Sequence, residues 1–558
     1  MPHDKDAVFD KVMQSVGDDG AFQKRFNYFY NTAMVALTVM PYINIVMMMA
    51  VPDHWCHVPG RNETNYSLEE WKALTLPREY NSKGQIDYSS CNMYNKSWSE
   101  ETNKIESQII PCQHSYEYDR TWYLSTAPSD QDWVCDRELY VTNTFAIGRA
   151  GEVIGTFIFG QLGDRIGRRP VFYLSLITIV TGRLITAFTS SWFIVFITAA
   201  FLGSLTSTSV FQSPLIIAME ISRSEDRAHI AMMQSIGWTS GMILMPLLMW
   251  ATRDWFIFAL VSTIPCTIFL IHNKYMIESP RWLASRCKIE RCENTLKIIS
   301  SVNKTTLNED AIRVLREKSS GKPEKVYGIM SLFSSLRLAR NTTLIVLCWI
   351  VCSVTYFTLI LNVSNMGGNP FLNFLYQSAV ELPAYLLGRF SSDRIGRRWT
   401  SVASFGIALA ASSILICIAN DESLQNLVSL LAVVMKFCIS ITFYVVNLQA
   451  METYPTCLRQ TGISIGTIVS NALGVLGPYI VYLGTTYDAR YPYAVLSVMM
   501  MVGATSGMFL PETLHQKLPE TLTEAHVFGR DQVFWSLPKK GVSKSTDTAV
   551  KKLSQEDC

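Results

Sequence analysis

Ten residues at 160–169, GQLGDRIGRR, set one carboxylate, Asp164, beside three guanidinium groups, Arg165, Arg168 and Arg169, at the end of an apolar run. Opposite charges at that spacing make ion pairs that can open and close, which is the chemistry of a latch rather than of bond cleavage. Gly160, Gly163 and Gly167 leave room for close backbone approach. A near copy, GRFSSDRIGRR, fills 388–398, with Asp393, Arg394, Gly396, Arg397 and Arg398 in matching places 229 residues on. Two further pairs recur at almost the same offset. MEISRSEDRAHI holds Glu220 and Arg227, and METYPTCLRQTGI holds Glu452 and Arg459. Glu278 in ESPRW is echoed by Glu512 in PET. Matched acids and bases at corresponding helix ends could bridge within and between two similar halves, holding one side closed. Anchoring of helix ends explains the arginines alone, but gives no reason for Asp164 and Asp393.

A second group of ionisable residues lies inside apolar runs, where charge is costly and usually faces a cavity. Glu381 sits in SAVELPAY, with Pro383 two residues on to free a backbone carbonyl. A carboxylate there either attracts a cation or packs against a hydrogen-bond partner. Arg149 and Glu152, three apart on one helical face, pair with each other or touch a substrate. Arg183 has no obvious partner in its own run, and Lys436 lies within another apolar run.

These residues need helices to carry them, and the chain supplies twelve apolar runs. Of 558 residues, 49% are apolar and only 17% charged, with net charge +2 and mean hydropathy +0.17. A bilayer crossing takes about 20 helical residues. Helix 1 is expected at about 26–51, after a polar segment, 1–25. Helices 2 to 6 are expected at about 140–162, 171–189, 192–219, 228–251 and 255–273, all within 139–273. Helices 7 to 12 fall at about 342–363, 371–391, 399–419, 425–449, 461–484 and 491–510, within 341–510. Pro478 and the glycines of GISIGTIVSNALGVLGP permit a bend in helix 11. The fold class is therefore an all-α membrane protein, two six-helix bundles related by an axis along the membrane normal.

The two long polar segments set the orientation. Residues 52–138 hold 15 acidic and 8 basic residues, Cys56, Cys91, Cys112 and Cys135, and sequons at Asn62, Asn65 and Asn95. Disulfides and glycans place this segment outside the cell; three pairings of the four cysteines are open. Residues 274–340 carry 14 Lys or Arg against 7 Asp or Glu, as a cytoplasmic loop should. Sequons at Asn303 and Asn341 are then unused. The tail, 511–558, is polar and read as cytoplasmic and partly disordered, so both termini share the cytoplasmic side.

Other chemistry is excluded. The net charge gives no case for nucleic acid, and no Walker-type loop points to ATP. The eight histidines form no intramembrane cluster, and no serine elbow is present, so neither a metal, a cofactor nor an enzyme activity is expected.

The paired GDRIGRR loops, the large sequon-bearing loop after helix 1, ESPRWL and METYP…LRQ…G together resemble the organic cation, carnitine and organic anion transporters of the major facilitator superfamily, over about residues 20–525. The likeness leans toward insect members handling cations or zwitterionic amines. The resemblance implies a plasma-membrane carrier that rocks between two openings around a central site. It places Tyr356, Gln234 and Trp238 in the cavity, with Tyr30, Tyr42 and Asn44 as weaker candidates, and gives Glu381 and Lys436 counterparts in relatives. This chain has Asn471 where cation carriers place an Asp and anion or carnitine carriers an Arg. It has Tyr444 where some cation carriers have a Glu, and Ala199 where the family places an Arg that Arg183 could replace in space. A small organic cation or zwitterion is thus the expected partner beside the bilayer, with Na+ or H+ coupling or potential-driven uniport. An organic-anion carrier, or a sensor that kept the fold, are the alternatives.

Overall fold

The computed structural model describes residues 3–61, 65–98, 105–223, 226–271, 276–306, 313, 329–455, 458–516, 519 and 522–529. Among the described residues, α-helix occurs within each of the expected stretches, though Met49–Val51 are not helical and 272–273 lie outside the described set. Among the described residues, eight helices are long and apolar enough to cross a membrane: Ala21–Met48, Arg168–Phe188, Phe193–Ile221, Leu336–Asn365, Arg397–Ile418, Gln425–Thr453, Thr461–Thr486 and Tyr491–Phe509. They stand in the places of helices 1, 3, 4, 7, 9, 10, 11 and 12. The other four are weaker for visible reasons. Helix 2 (Leu139–Ile166) carries Arg149, Glu152, Asp164 and Arg165, and helix 5 (Arg227–Thr252) carries Gln234, Ser235, Thr239 and Ser240. Helix 6 (Trp255–Ile271) is apolar but short. Helix 8 is broken into Pro370–Ala379 and Glu381–Ile395.

The breaks follow the prolines. Pro383 has no N–H for the Ala379 carbonyl, and helix 8 divides one residue after Ala379. Helix 11 divides likewise into Arg459–Gly474 and Gly477–Thr486, where Pro478 has no N–H for the Gly474 carbonyl. Pro41 stays inside an unbroken helix 1. The Leu37 carbonyl that it orphans accepts a bond from Cys266 Sγ of helix 6 at 3.2 Å.

Helices 3 and 4 cross where Gly182 meets Gly203; a Cβ on Gly182 would lie 2.5 Å from the Gly203 Cα. The expectation for Gly160 and Gly163 fails: nothing lies within 4 Å of a Cβ at either position. Both sit on a face of helix 2 that no backbone approaches. Only Gly167 of the three is constrained.

The segment after helix 1 forms a small domain of three two-stranded antiparallel sheets. They pair β1 (His54–Cys56) with β6 (Tyr116–Tyr118), β2 (Arg78–Tyr80) with β3 (Ile86–Tyr88), and β4 (Asn92–Trp98) with β5 (Ile105–Pro111). Its own core is slight, around Cys56, Leu76 and Met93, so cross-links are needed to hold it. The disulfides are Cys56–Cys112 and Cys91–Cys135, which settles the pairing. Arg253, in the turn between helices 5 and 6, donates to the carbonyls of Arg120, Thr121 and Trp122 and so ties the domain down. Trp255 Nε1 donates to Asp130 at 2.7 Å; burial nevertheless raises that carboxyl above its usual range. Asn65 and Asn95 are exposed, and Asn62 lies outside the described residues.

On the opposite side, helices Pro280–Ser285 and Ile289–Asn303 occupy the basic loop. Asn303 clasps the N-terminal segment. Its Oδ1 accepts from Phe22 N at 2.8 Å, and its Nδ2 donates to the Gly17 carbonyl at 2.8 Å. Thr305 adds a bond to the Val16 carbonyl at 2.7 Å. A glycan on Asn303 is incompatible with those contacts, and Asn341 is buried. Of the tail, Leu522–Val527 is helical; residues 530–558 lie outside the described set.

Candidate substrate site and gates

Helices 5, 7, 8 and 10 bring four expected residues into one chain of contacts. Trp238 Nε1 donates to the Tyr356 hydroxyl at 3.3 Å, and that hydroxyl donates to Glu381 Oε1 at 2.7 Å. Lys436 Nζ lies 3.1 Å from the same oxygen, an ion pair without the alignment of a hydrogen bond. It also stands over the Tyr356 ring, 3.0 Å from the centroid, which is a cation–π contact. Glu381 and Lys436 are both fully buried. Glu381 Oε2 has no donor among the described residues. The break at Val380 starts the second half of helix 8 at Glu381 itself.

Trp238 belongs to the first bundle and the other three to the second. The chain therefore crosses the boundary between bundles, where a ligand would have to lie.

A second ionic cluster sits in the first bundle. Arg149 Nη1 pairs with Glu152, whose carboxylate also accepts from the Tyr42 hydroxyl and from Thr208. So the two do pair with each other. Arg149 also lies over Phe357 of helix 7, 3.0 Å from the centroid. Arg183 finds its partners on helix 1, donating to the Pro41 carbonyl at 2.7 Å and the Tyr42 carbonyl at 3.2 Å. It sits beside the Gly182–Gly203 crossing, four residues along helix 4 from Ala199. Its Nη1 is buried with no partner among the described residues. Tyr42, Arg149, Glu152, Arg183 and Phe357 line a cavity of about 60 Å³, room for only a few atoms. A vestibule of about 870 Å³ beneath the disulfide-bonded domain shares Val46, Phe145, Leu361 and Pro478 with it.

The remaining candidates stand apart. Gln234 donates to the Phe211 carbonyl of helix 4 at 3.0 Å. Asn471 is half-buried on helix 11 and does not join the Glu381 chain. Tyr444 packs against Ala384 and Ile441. It is eight residues past Lys436, about 12 Å along a helix, and so lies toward the gate. Asn44 is buried and bonded to Ser262, and Tyr30 is buried among Phe26, Phe29 and Phe172.

The loop motifs close up within each bundle. Asp164 and Arg165 finish helix 2, Gly167 alone makes the turn, and Arg168 begins helix 3, so the expected charged turn is a single glycine. Arg168 lies 3.2 Å from Asp164 and 3.7 Å from Glu220. In the copy, Arg397 lies 3.3 Å from Asp393 and meets Glu452 through both Nε and Nη2 at 3.1 Å. Glu278 and Glu512 do something different from bridging. Glu278 accepts from the backbone N–H of Arg168 and Arg169, and Glu512 from those of Arg397 and Arg398. Each carboxylate therefore caps a helix N-terminus, where N–H groups lack partners and the dipole favours an anion. Gly167 and Gly396 have φ of 113° and 100°, and a Cβ on either would meet its glutamate at 2.2 or 2.3 Å. Arg165 and Arg394 are exposed, Arg394 over Phe390. Arg459 is half-buried, and the Arg227 side chain lies outside the described set. Trp282 and Arg286, which the charge pattern did not single out, donate to the Asp164 carbonyl at 2.9 and 2.7 Å.

The profile of the sugar (and other) transporter family matches residues 82–524, most of the chain. The chain belongs to that family. The described fold of this transporter is shared with solved sugar carriers. An inward-open xylose transporter from E. coli superposes with TM-score 0.55 at 16% identity, covering 71% of this chain and 90% of that one. A proton:xylose symporter of the major facilitator superfamily covers 90% and 99%, with TM-score 0.52. Among curated proteins the transporter is 28% identical to a carcinine transporter of Drosophila melanogaster, over 94% of this chain and 80% of that protein. It is 28% identical to a beta-alanine transporter of the same organism, over 92% and 89%. A human organic cation/carnitine transporter is 26% identical over 92% and 93%. These relatives are carriers, not enzymes.

Proposed function

We propose that the protein carries small organic cations or zwitterionic amines across the plasma membrane by alternating access. The observation that carries this reading is the buried chain from Trp238 to Lys436, with its unfilled acceptor at Glu381 Oε2. An ammonium group arriving there displaces Lys436 from Glu381 and keeps the aromatic faces of Tyr356 and Trp238. Arg183 and Arg149, across the bundle boundary, suit a carboxylate at the other end of the molecule. The names of the carcinine and beta-alanine transporters are in keeping with such substrates. The disulfides and exposed sequons face outward, and the basic loop with both termini faces the cytoplasm.

Opening and closing then falls to the two loop motifs. Each arginine trades its partners at the ends of helices 2 and 4, or 8 and 10, as the bundles rock. The test is uptake into cells expressing the chain, with beta-alanine, carnitine, choline and histamine-type amines as substrates and competitors. Saturable uptake of at least one is expected, and repeats without sodium and across pH assign the coupling ion or uniport. Binding of a panel member with no accumulation of any would replace the carrier with a sensor. Uptake confined to organic anions would reverse the assigned substrate class.

A further inference from the structure

A cavity of about 590 Å³ opens on the side opposite the disulfide-bonded domain, away from the site between the bundles. Its size is that of a small-ligand site, about 300–1,000 Å³. One wall is the start of helix 3, with Arg169 and Tyr173. The other is one stripe of the helix Ile289–Asn303, where Arg291, Asn294 and Ile298 follow at helical spacing. The buried face of that helix, Cys292, Leu296 and Ile299, is spent on the protein interior. The Arg291 stripe is left facing the cavity.

Arg169 and Arg291 are both exposed, and neither has an ion-pair partner among the described residues. The carboxylate that reaches the cavity, Glu278, is taken up by the backbone N–H groups of Arg168, Arg169 and Ser279. Two guanidinium groups and one carboxylate thus line the cleft, a net positive lining among the described residues. Below the cleft the surface turns apolar. Leu174 and Ile177 of helix 3, a helix long and apolar enough to cross a membrane, and Ile271 at the end of helix 6 are exposed. Arg291 and Asn294 supply the polar part of the stripe.

We propose that this cleft binds the phosphate headgroup of an anionic phospholipid from the adjacent leaflet. The phosphate lies between Arg169 and Arg291, Asn294 meets the polar part of the headgroup, and the acyl chains lie on Leu174, Ile177 and Ile271. Charge complementarity and the exposed apolar residues of the neighbouring helices choose a lipid over a soluble anion. The lipid then joins helix 3 to the extramembrane helix Ile289–Asn303, which also clasps the N-terminal segment through Asn303.

The test is a titration of the purified full chain in neutral detergent with dioctanoyl phosphatidylinositol 4-phosphate, read as a thermal shift. Inorganic phosphate and inositol phosphate are run in parallel. Saturable stabilisation by the lipid is expected, with half-saturation raised about tenfold by Arg291→Gln or by Arg169→Gln, the loss of one charge-assisted contact. Arg291 is exposed on a surface helix, so that variant keeps the test open if Arg169→Gln folds poorly. Lys297→Gln, on the same helix but paired with Glu293 and outside the cleft, leaves half-saturation unchanged. Equal weakening by Lys297→Gln would reduce the effect to diffuse charge and overturn the site. Equal stabilisation by inorganic phosphate would make it a free-anion site, and no saturable lipid effect in the unaltered chain ends the proposal.

Discussion

The two halves of the molecule carry the same loop sequence, DRIGRR, and hold it with unequal strength. In the second half Arg397 grips Glu452 with two aligned contacts at 3.1 Å, and its side chain is 10% exposed. In the first half Arg168 stands 3.7 Å from Glu220, closer to ion pairing than to hydrogen bonding. There the turn is steadied instead by Trp282 and Arg286 on the Asp164 carbonyl. Bidentate guanidinium–carboxylate pairs are worth more than loose ones because geometry and charge act together. The ionic clusters within the membrane differ in the same direction. The second half seals Glu381 and Lys436 completely, while the first half leaves Arg149 lying across the boundary on Phe357. One internal repeat can thus yield a stiffer half and a looser half without changing its motif.

The largest effect is expected at Glu381. Glu381→Gln leaves Lys436 buried without its anion, which costs about 3–5 kcal/mol in stability and abolishes uptake of cations. The double variant Glu381→Gln with Lys436→Gln recovers most of the lost thermal stability in detergent but not the uptake. If the double variant transports normally, the pair is packing and the site lies elsewhere.

Next come the glycines, where the halves do not differ. Gly167→Ala and Gly396→Ala each put a side chain into a backbone region open almost only to glycine, a cost of about 1–3 kcal/mol. Each also pushes away the glutamate cap, so equal losses of thermal stability are expected. A loss at one site alone would mean that only one of the two caps matters.

The smallest effect separates the gates. Glu452→Gln is expected to cost about 2 kcal/mol and Glu220→Gln under about 1 kcal/mol, measured as unfolding midpoints. Turnover slows more than half-saturation changes in both, and in Asp164→Asn. Equal costs at 452 and 220 would remove the distinction between a stiff and a loose half.

Much of this was legible in the chain. The repeat offset, the paired loops and the prolines that divide helices 8 and 11 could be read because each leaves a signature in residue type and spacing. Glu381, Lys436, Tyr356 and Trp238 were nameable one at a time, but not as a contiguous chain, since they come from four helices. The caps at Glu278 and Glu512 were read as bridging acids because their partners are main-chain N–H groups, which every sequence has. Arg183 hid its partners in the same way, in carbonyls of helix 1. Tyr444 lies eight residues of helix, about 12 Å, beyond Lys436, a separation along the axis that residue type alone does not show. Gly160 and Gly163 look like packing positions in sequence, yet only Gly167 has a neighbour that demands one.

The clasp at Asn303 has a consequence in the order of synthesis. It joins residues 281 positions apart, Phe22 to Asn303, and so cannot close until the first six helices have left the ribosome. At about 5–20 residues per second that is a wait of about 15–60 s, during which the N-terminal segment can dock only through Gln23 on the Ile221 carbonyl and Asp18 on Arg223. Closure of the clasp therefore marks the first half as finished before the second has begun to form.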